Sequence, residues 1–244
     1  MRDGTMTGFP TYTGREGAPA KYLEILDQMM KSHAYRERAA ALLFANGMPH
    51  VPTAEKKFMT WHVSEELNHY QLVADMYQAF ANKSVEPWVD DRLASKPLPM
   101  TESWLELGMA QFLYDRGGFW QLLEYDKCSY LPYRTVVEKI IREERGHQDL
   151  GARIVVDLCH DPKHDAVKQP LFEKWLRIGL LSFGRPKTEG NTYAISMGLK
   201  KRDSGAVMQD FITDIKPTVR ACSLHLPDPA TLRLELPSDL DWSP

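Results

Sequence analysis

The sequence predicts an all-α protein: a four-helix bundle with one long crossover between its second and third helices, then a helical appendix and an extended tail. Three observations predict it. Apolar residues recur every three or four positions through four long stretches. Two of those stretches carry a Glu-x-x-His word, Glu66 to His69 and Glu144 to His147. The connection over 83–101 is far too long for a tight antiparallel turn.

The totals set the frame. A chain of 244 residues with 43% hydrophobic and 26% charged residues buries one sizeable core and belongs with soluble globular proteins. A formal net charge of -3 argues against a partner such as nucleic acid or an anionic membrane. No apolar run approaches a membrane span. No apolar h-region follows Met1-Arg2-Asp3-Gly4-Thr5, so a cytoplasmic protein is expected. Cys128, Cys159 and Cys222 are odd in number and widely spaced, which suits reduced thiols.

Residues 1–19 lack a helical period and read as an N-terminal arm. The first helix is expected from Ala20 to about Asn46, with Leu26, Met30, Ala34, Ala41 and Phe44 on its buried stripe and Glu37 among them. Gly47-Met48-Pro49 ends it. The second runs from Thr53 to Asn82, with Phe58, Leu72, Val73, Met76 and Phe80 in line with Glu66 and His69. Three prolines in 83–101 predict a non-helical connection. The third helix is expected over 102–131 and the fourth over 132–158, the latter with Val136, Val137, Ile140, Ile141, Ile154, Val155 and Leu158 inward. Proline suits a helix start. A fifth helix is placed at 164–183, completing a bundle domain over 20–184. Shorter helices at 191–202 and 204–223 and a proline-rich strap make an appendix over 185–244.

The chemistry lies in a repeated constellation. Glu37 stands 29 residues before Glu66, and Asp115 stands 29 before Glu144. One shift of 78 therefore carries Glu37, Glu66 and His69 onto Asp115, Glu144 and His147. A carboxylate on each of two helices plus Glu-x-x-His on each of two others is the ligand set of a dimetal carboxylate bundle of the ferritin-like kind. Acidic residues inside apolar stripes need a cation. Four carboxylates balance two divalent ions. Oxygen donors with one imidazole per metal suit iron or manganese, and open positions on such a site suit dioxygen.

Each choice has a rival. Glu65 and Glu143 obey the same shift and lie four residues before the histidines, so spacing leaves them open; the i, i+3 arrangement favours Glu66 and Glu144. Glu124 competes with Asp115 but breaks the 29-residue symmetry. His33 and His62 read as packed core histidines rather than groups behind the ligands. Gly117-Gly118 marks either a close helix contact or a local widening that opens room beside Phe112, Phe119 and Trp120. Lys200, Lys201 and Arg202 read as a solvated basic run rather than a phosphate site.

Further along stand Ser182-Phe183-Gly184-Arg185-Pro186, Ser196-Met197-Gly198-Leu199-Lys200-Lys201, Asp210-Phe211-Ile212, Leu226-Pro227-Asp228-Pro229 and a closing Asp241-Trp242-Ser243. In this order, with the ligand pattern, they resemble the bacterial phenylacetic acid catabolism family, in its catalytic α-subunits of phenylacetyl-CoA epoxidases. The resemblance spans roughly residues 20–244 in pieces. It implies Glu37, Glu66, His69, Asp115, Glu144 and His147 as ligands of two irons, manganese being the other candidate for one site. It implies dioxygen as oxidant and NADPH electrons from a separate flavin and iron–sulfur reductase. The substrate would be a CoA thioester whose aromatic ring is epoxidised or hydroxylated. A related metal-free subunit would complete a hetero-oligomer, with a homo-oligomer as the other arrangement. The rival functions are a ferritin-like iron store and a non-catalytic scaffold subunit.

Overall fold

In the computed structural model, residues 8–144 and 146–243 are described, Gln148 by its backbone alone. The described chain is helical, without a β-strand; Tyr12 and Tyr130 make a single isolated bridge. Helices α1 (Ala20–Gly47) and α2 (Lys56–Ala81) are the long pair. Their amphipathic stripes lie inward, as the periodicity requires: Leu26, Met30, Ala34, Ala41 and Phe44 are buried on α1, and Val73, Met76 and Phe80 on α2. Asn82 ends α2 in the left-handed conformation (φ 53°), a role asparagine tolerates.

The connection after α2 contains helix α3 (Glu86–Ser95), against the expectation of a non-helical crossover. Pro87 does not break it because it sits in the first turn, where no intrahelical N–H bond is lost. Val89 buries fully and holds α3 in the core.

The third bundle rod is α4 (Trp104–Ala110), a wider π turn (Gln111–Asp115) and α5 (Arg116–Leu122). Ser103 caps it by accepting from the Glu106 N–H. The rod stops at Leu122, short of the expected Leu131. Tertiary partners claim the residues beyond it: Glu124 O accepts from Lys201 N at 3.1 Å, and Gly198 O from Ser129 N at 2.8 Å. The fourth rod is α6 (Leu131–Glu144) and α7 (His147–Cys159), with Gly146 in a turn between them.

Contacts fix the directions. On α1 and α2, Tyr77 donates to Asp27 while Phe44 stacks on His62, so they run antiparallel. Gly47 faces Leu107 and Gly118 faces Arg36, so α1 is also antiparallel to the α4–α5 rod. The second and third rods therefore point the same way. This is the architecture of a ferritin-like helical bundle. Helices α8 (Lys168–Leu181), α9 (Glu189–Ser196) and α10 (Ser204–Ala221) follow the four rods. Phe211 and Ile212 of α10 join Trp175 of α8 in one core with Leu107, Phe112 and Ile154.

Among the described residues the buried apolar side chains form two clusters. One holds Ala40, Phe44 and Met59 with the α4, α7, α8 and α10 residues. The other holds Met30, Ala34 and Val73 with Tyr133 and Ile140. Glu37 falls between the two clusters along α1, and Glu66 between them along α2. The acidic residues thus occupy the level where both apolar cores stop.

Candidate metal centre

All six residues of the repeated constellation converge at that level. Glu37 comes from α1, Glu66 and His69 from α2, Asp115 from the end of the π turn, Glu144 from the end of α6 and His147 from the start of α7. None is more than 7% exposed. The π turn brings residues four apart nearly into line, so Gln111 and Asp115 both face the centre.

The two histidines point their Nδ1 atoms inward. His69 Nδ1 lies 3.0 Å from Glu144 and 3.5 Å from Glu37. His147 Nδ1 lies 3.1 Å from Glu144 and 3.5 Å from Glu66. Their Nε2 atoms point outward and meet carboxylates crosswise: His69 to Glu143 at 3.2 Å, His147 to Glu65 at 2.8 Å. The structure thus sorts the doubled glutamates. Glu66 and Glu144 face the centre, while Glu65 and Glu143 hold the far nitrogens of the opposite histidines. A carboxylate behind an imidazole orients a ligand and raises its basicity.

Among the described residues, two groups of four lie within metal-holding reach. One is Glu37, Glu66, His69 and Glu144; the other is His62, Glu66, Asp115 and His147; within each, the candidate donor atoms lie within 4.8 Å of one another. Glu66 belongs to both.

The electrostatics are those of acids crowded together. Burial raises Glu66, and the Glu144 charge adds to it, to a pKa of about 8. Asp115 is also raised well above the usual range, by burial and then by Glu144 and Glu66. Burial opposes the charge on Glu37, but the His33 and His69 imidazoles outweigh it and hold Glu37 at about 2. Burial is likewise outweighed at the histidines. Glu144 and Glu37 lift His69 to about 11, and Glu144 and Glu66 lift His147 to about 12. Protons here do the work of cations.

Those protons do not satisfy every atom. Asp115 Oδ2 is buried without a hydrogen-bond partner among the described residues, and the nearest imidazole nitrogen, His62 Nε2, is 4.0 Å away. His69 Nδ1 is close to two carboxylates but out of line for a hydrogen bond. Buried donor and acceptor atoms left in this way are costly unless something else engages them. Divalent ions bound by oxygen and imidazole fit this donor set.

The rivals weighed in the sequence fall elsewhere. Glu124 is remote from the centre, held by Arg202 at 2.8 Å. Of Lys200, Lys201 and Arg202 only Arg202 is exposed, and each is engaged by partners within the chain. Lys200 Nζ donates to Asn191 at 2.8 Å and to Ser204, Lys201 pairs with Asp126, and Arg202 also meets Asp210. Lys201 and Arg202 fasten the appendix to the stretch that follows the third rod, while Lys200 ties the appendix to itself. Gly117 makes a close contact, since a Cβ there would lie 3.2 Å from the Gly179 carbonyl. The widening exists too, one turn earlier than the glycines. Gly118 lines a cavity of ≈ 50 Å³ with Arg36, Tyr114, Phe119 and Tyr125, whose floor is Glu37, Glu66, Asp115 and Glu144. Phe112 is packed core, and Trp120 turns to Asp214.

Two histidines depart from the sequence reading. His62 is fully buried, with Nε2 2.9 Å from Glu66 Oε1 and its ring 4.0 Å from that of His147. It lies one turn before Glu66, a visible signal, but the 78-residue shift puts Ile140 opposite it, so a search by symmetry passes it over. His33 does stand behind Glu37, 2.8 Å from its Oε1, with Tyr133 on its other nitrogen at 3.0 Å.

Fold and site define a class: helical bundles with a buried centre of carboxylates and imidazoles drawn from four rods. The sequence profile of the family described as Phenylacetic acid catabolic protein matches residues 52–236, and the chain belongs to that family. Among curated proteins it is similar to the A subunit of the 1,2-phenylacetyl-CoA epoxidase of Escherichia coli (strain K12), at 24% identity over 222 residues, covering 86% of this chain and 71% of that one. No helix among the described residues is long and apolar enough to cross a membrane.

Proposed function

We propose that this chain is the catalytic subunit of a multicomponent di-iron monooxygenase, with Glu37, Glu66, His69, Asp115, Glu144 and His147 as its iron ligands. Its similarity to an epoxidase subunit supports a CoA thioester of an aromatic acid, phenylacetyl-CoA or a near relative, as substrate, with the ring epoxidised or hydroxylated. The observation that carries the reading is the pair of four-residue groups joined through Glu66. When bound, a pair of ferrous ions would supply the electrons that activate dioxygen, and NADPH would restore them through a separate reductase.

The chain's own residues do the rest. Glu144 lies within 3.1 Å of both histidines, and Glu66, which belongs to both groups, lies 3.5 Å from His147. Glu65 and Glu143 keep the protons of His147 and His69 on the outer nitrogens, leaving Nδ1 free to coordinate. Phe119, Leu122 and Met29 give the cavity beside the centre an apolar wall. At ≈ 50 Å³ the cavity accommodates dioxygen, whereas cavities that hold a benzene ring are about 150 Å³.

Iron analysis and turnover test the reading. The purified chain should hold two irons. With NADPH, the reductase and a metal-free sister subunit it should convert phenylacetyl-CoA to an oxygenated product. A well-folded chain that takes up no iron would overturn it. Iron far above two per chain would favour a store instead.

A further inference from the structure

We infer that His62 is a seventh metal ligand, coordinating through Nε2 on the Asp115 side and making the two metal positions chemically unlike. The inference rests on the dimetal reading above and deepens it.

The geometry begins with what Asp115 lacks. In the first half, Glu37 reaches one imidazole in front, His69 at 3.5 Å, and another behind, His33 at 2.8 Å. The 78-residue shift turns Glu37 into an aspartate, one methylene shorter, and His33 into Gln111. Gln111 does not take over the role of His33: its Nε2 donates to His62 Nδ1 at 3.1 Å and to the His147 carbonyl at 3.3 Å. Asp115 Oδ2 is left buried and unpartnered. The nitrogen facing that gap is His62 Nε2, 4.0 Å from Asp115 Oδ2 and 2.9 Å from Glu66 Oε1. An ion held by Asp115 and Glu66 on this side therefore meets His62 Nε2 as well as His147.

His62 is built to stay there. It is 0% exposed, and its ring lies between Phe44, at 4.4 Å, and His147, at 4.0 Å. Without metal, Nδ1 accepts from Gln111, so the single ring proton sits on Nε2 and is given to Glu66. Coordination through Nε2 would require that proton to sit on Nδ1, leaving the Nε2 lone pair for the ion. Gln111 Oε1, buried and without a partner, becomes the acceptor when the carboxamide turns over. The result is one position with three carboxylates and one imidazole, and another with two carboxylates and two imidazoles. The second suits a nitrogen-preferring ion, the first a harder one.

The test uses the full chain loaded with two equivalents of cobalt(II). Each coordinated imidazole contributes one strongly shifted proton resonance that vanishes in deuterium oxide, from its non-ligating N–H. Three such resonances are expected, and His62→Phe, which keeps the stacking, should remove one and weaken the second cobalt at least tenfold. Two resonances in the wild type, with both ions bound, would overturn the role of His62 and leave the dimetal reading standing. Failure to bind cobalt at all would overturn both. Should His62→Phe not fold, His62→Gln serves for the variant arm, while the wild-type count decides between two ligating histidines and three.

Discussion

The two halves of the bundle repeat each other in sequence and differ in packing. Glu37, Glu65, Glu66 and His69 recur as Asp115, Glu143, Glu144 and His147, each 78 residues on. The outer contacts keep this symmetry, with His69 on Glu143 and His147 on Glu65. The inner ones do not. Glu37 is in close contact with two imidazoles, whereas Asp115 keeps one oxygen unmatched. The backbone differs as well. The first half runs as plain α-helix, with Val73 buried on α2; the matching residue of the second half is Gly151, which lets α7 close on the π turn. Duplicated side chains can thus be set in unequal surroundings, and the unequal half is the one that leaves a buried carboxylate oxygen unmatched.

The largest expected effect falls on the shared residue. Glu66→Ala should abolish binding of both metals, while Glu37→Ala and Asp115→Ala should each leave about one metal per chain by elemental analysis. If Glu66→Ala retained one metal, the two positions would not share it.

Next in size is the outer carboxylate pair. Glu65→Gln and Glu143→Gln should each weaken metal affinity roughly 10–100-fold, the usual cost of removing a carboxylate behind a ligating histidine. Competition with a chelator measures it. Loss of metal in Glu65→Ala and Glu143→Ala with metal intact in Glu66→Ala and Glu144→Ala would reverse the assignment of the doubled glutamates.

Metal uptake should also depend on pH. In the metal-free chain Glu66 holds a proton below about 8, and His69 and His147 hold theirs to about 11 and 12. Binding must expel these protons, so affinity should rise with pH through the neutral range, about tenfold per unit for each proton released. Calorimetry in buffers of different ionisation enthalpy counts them. Affinity independent of pH would mean that no proton is displaced.

A smaller effect tests the packing contrast. A Cβ on Gly151 would lie 2.6 Å from the backbone nitrogen of Phe112, which cannot swing away. Gly151→Ala should cost about 1–3 kcal/mol of stability by thermal denaturation, as overpacking does. It should also loosen metal binding on the Asp115 side before the Glu37 side.

Legibility differed with the kind of signal. The long helices announced themselves through periodicity, and α1 and α2 lie within a few residues of expectation, because a continuous apolar stripe has one way to bury. Helix α3 was hidden by its prolines: Pro87 sits in the first turn, where it is tolerated, and Pro97 and Pro99 follow the helix's end at Ser95. The end of α5 was unreadable because the groups that stop it, Gly198, Lys201 and Arg202, come from some 75 residues away. The repeated acids were visible through their spacing. His62 was visible too, but it has no counterpart in the repeat that singled out the others.

By itself, then, the sequence determined an all-helical bundle and the meeting of six particular side chains. Helical periodicity and a duplicated spacing are local rules, and a hairpin with equal arms brings equal positions level. Only the tertiary structure decided which glutamate of each doubled pair turns inward, where the third rod widens and what His62 faces. Those outcomes depend on rotation about a helix axis and on neighbours distant in the chain. The difference between Glu65 and Glu66 is a single residue in sequence, but about 100° around the helix.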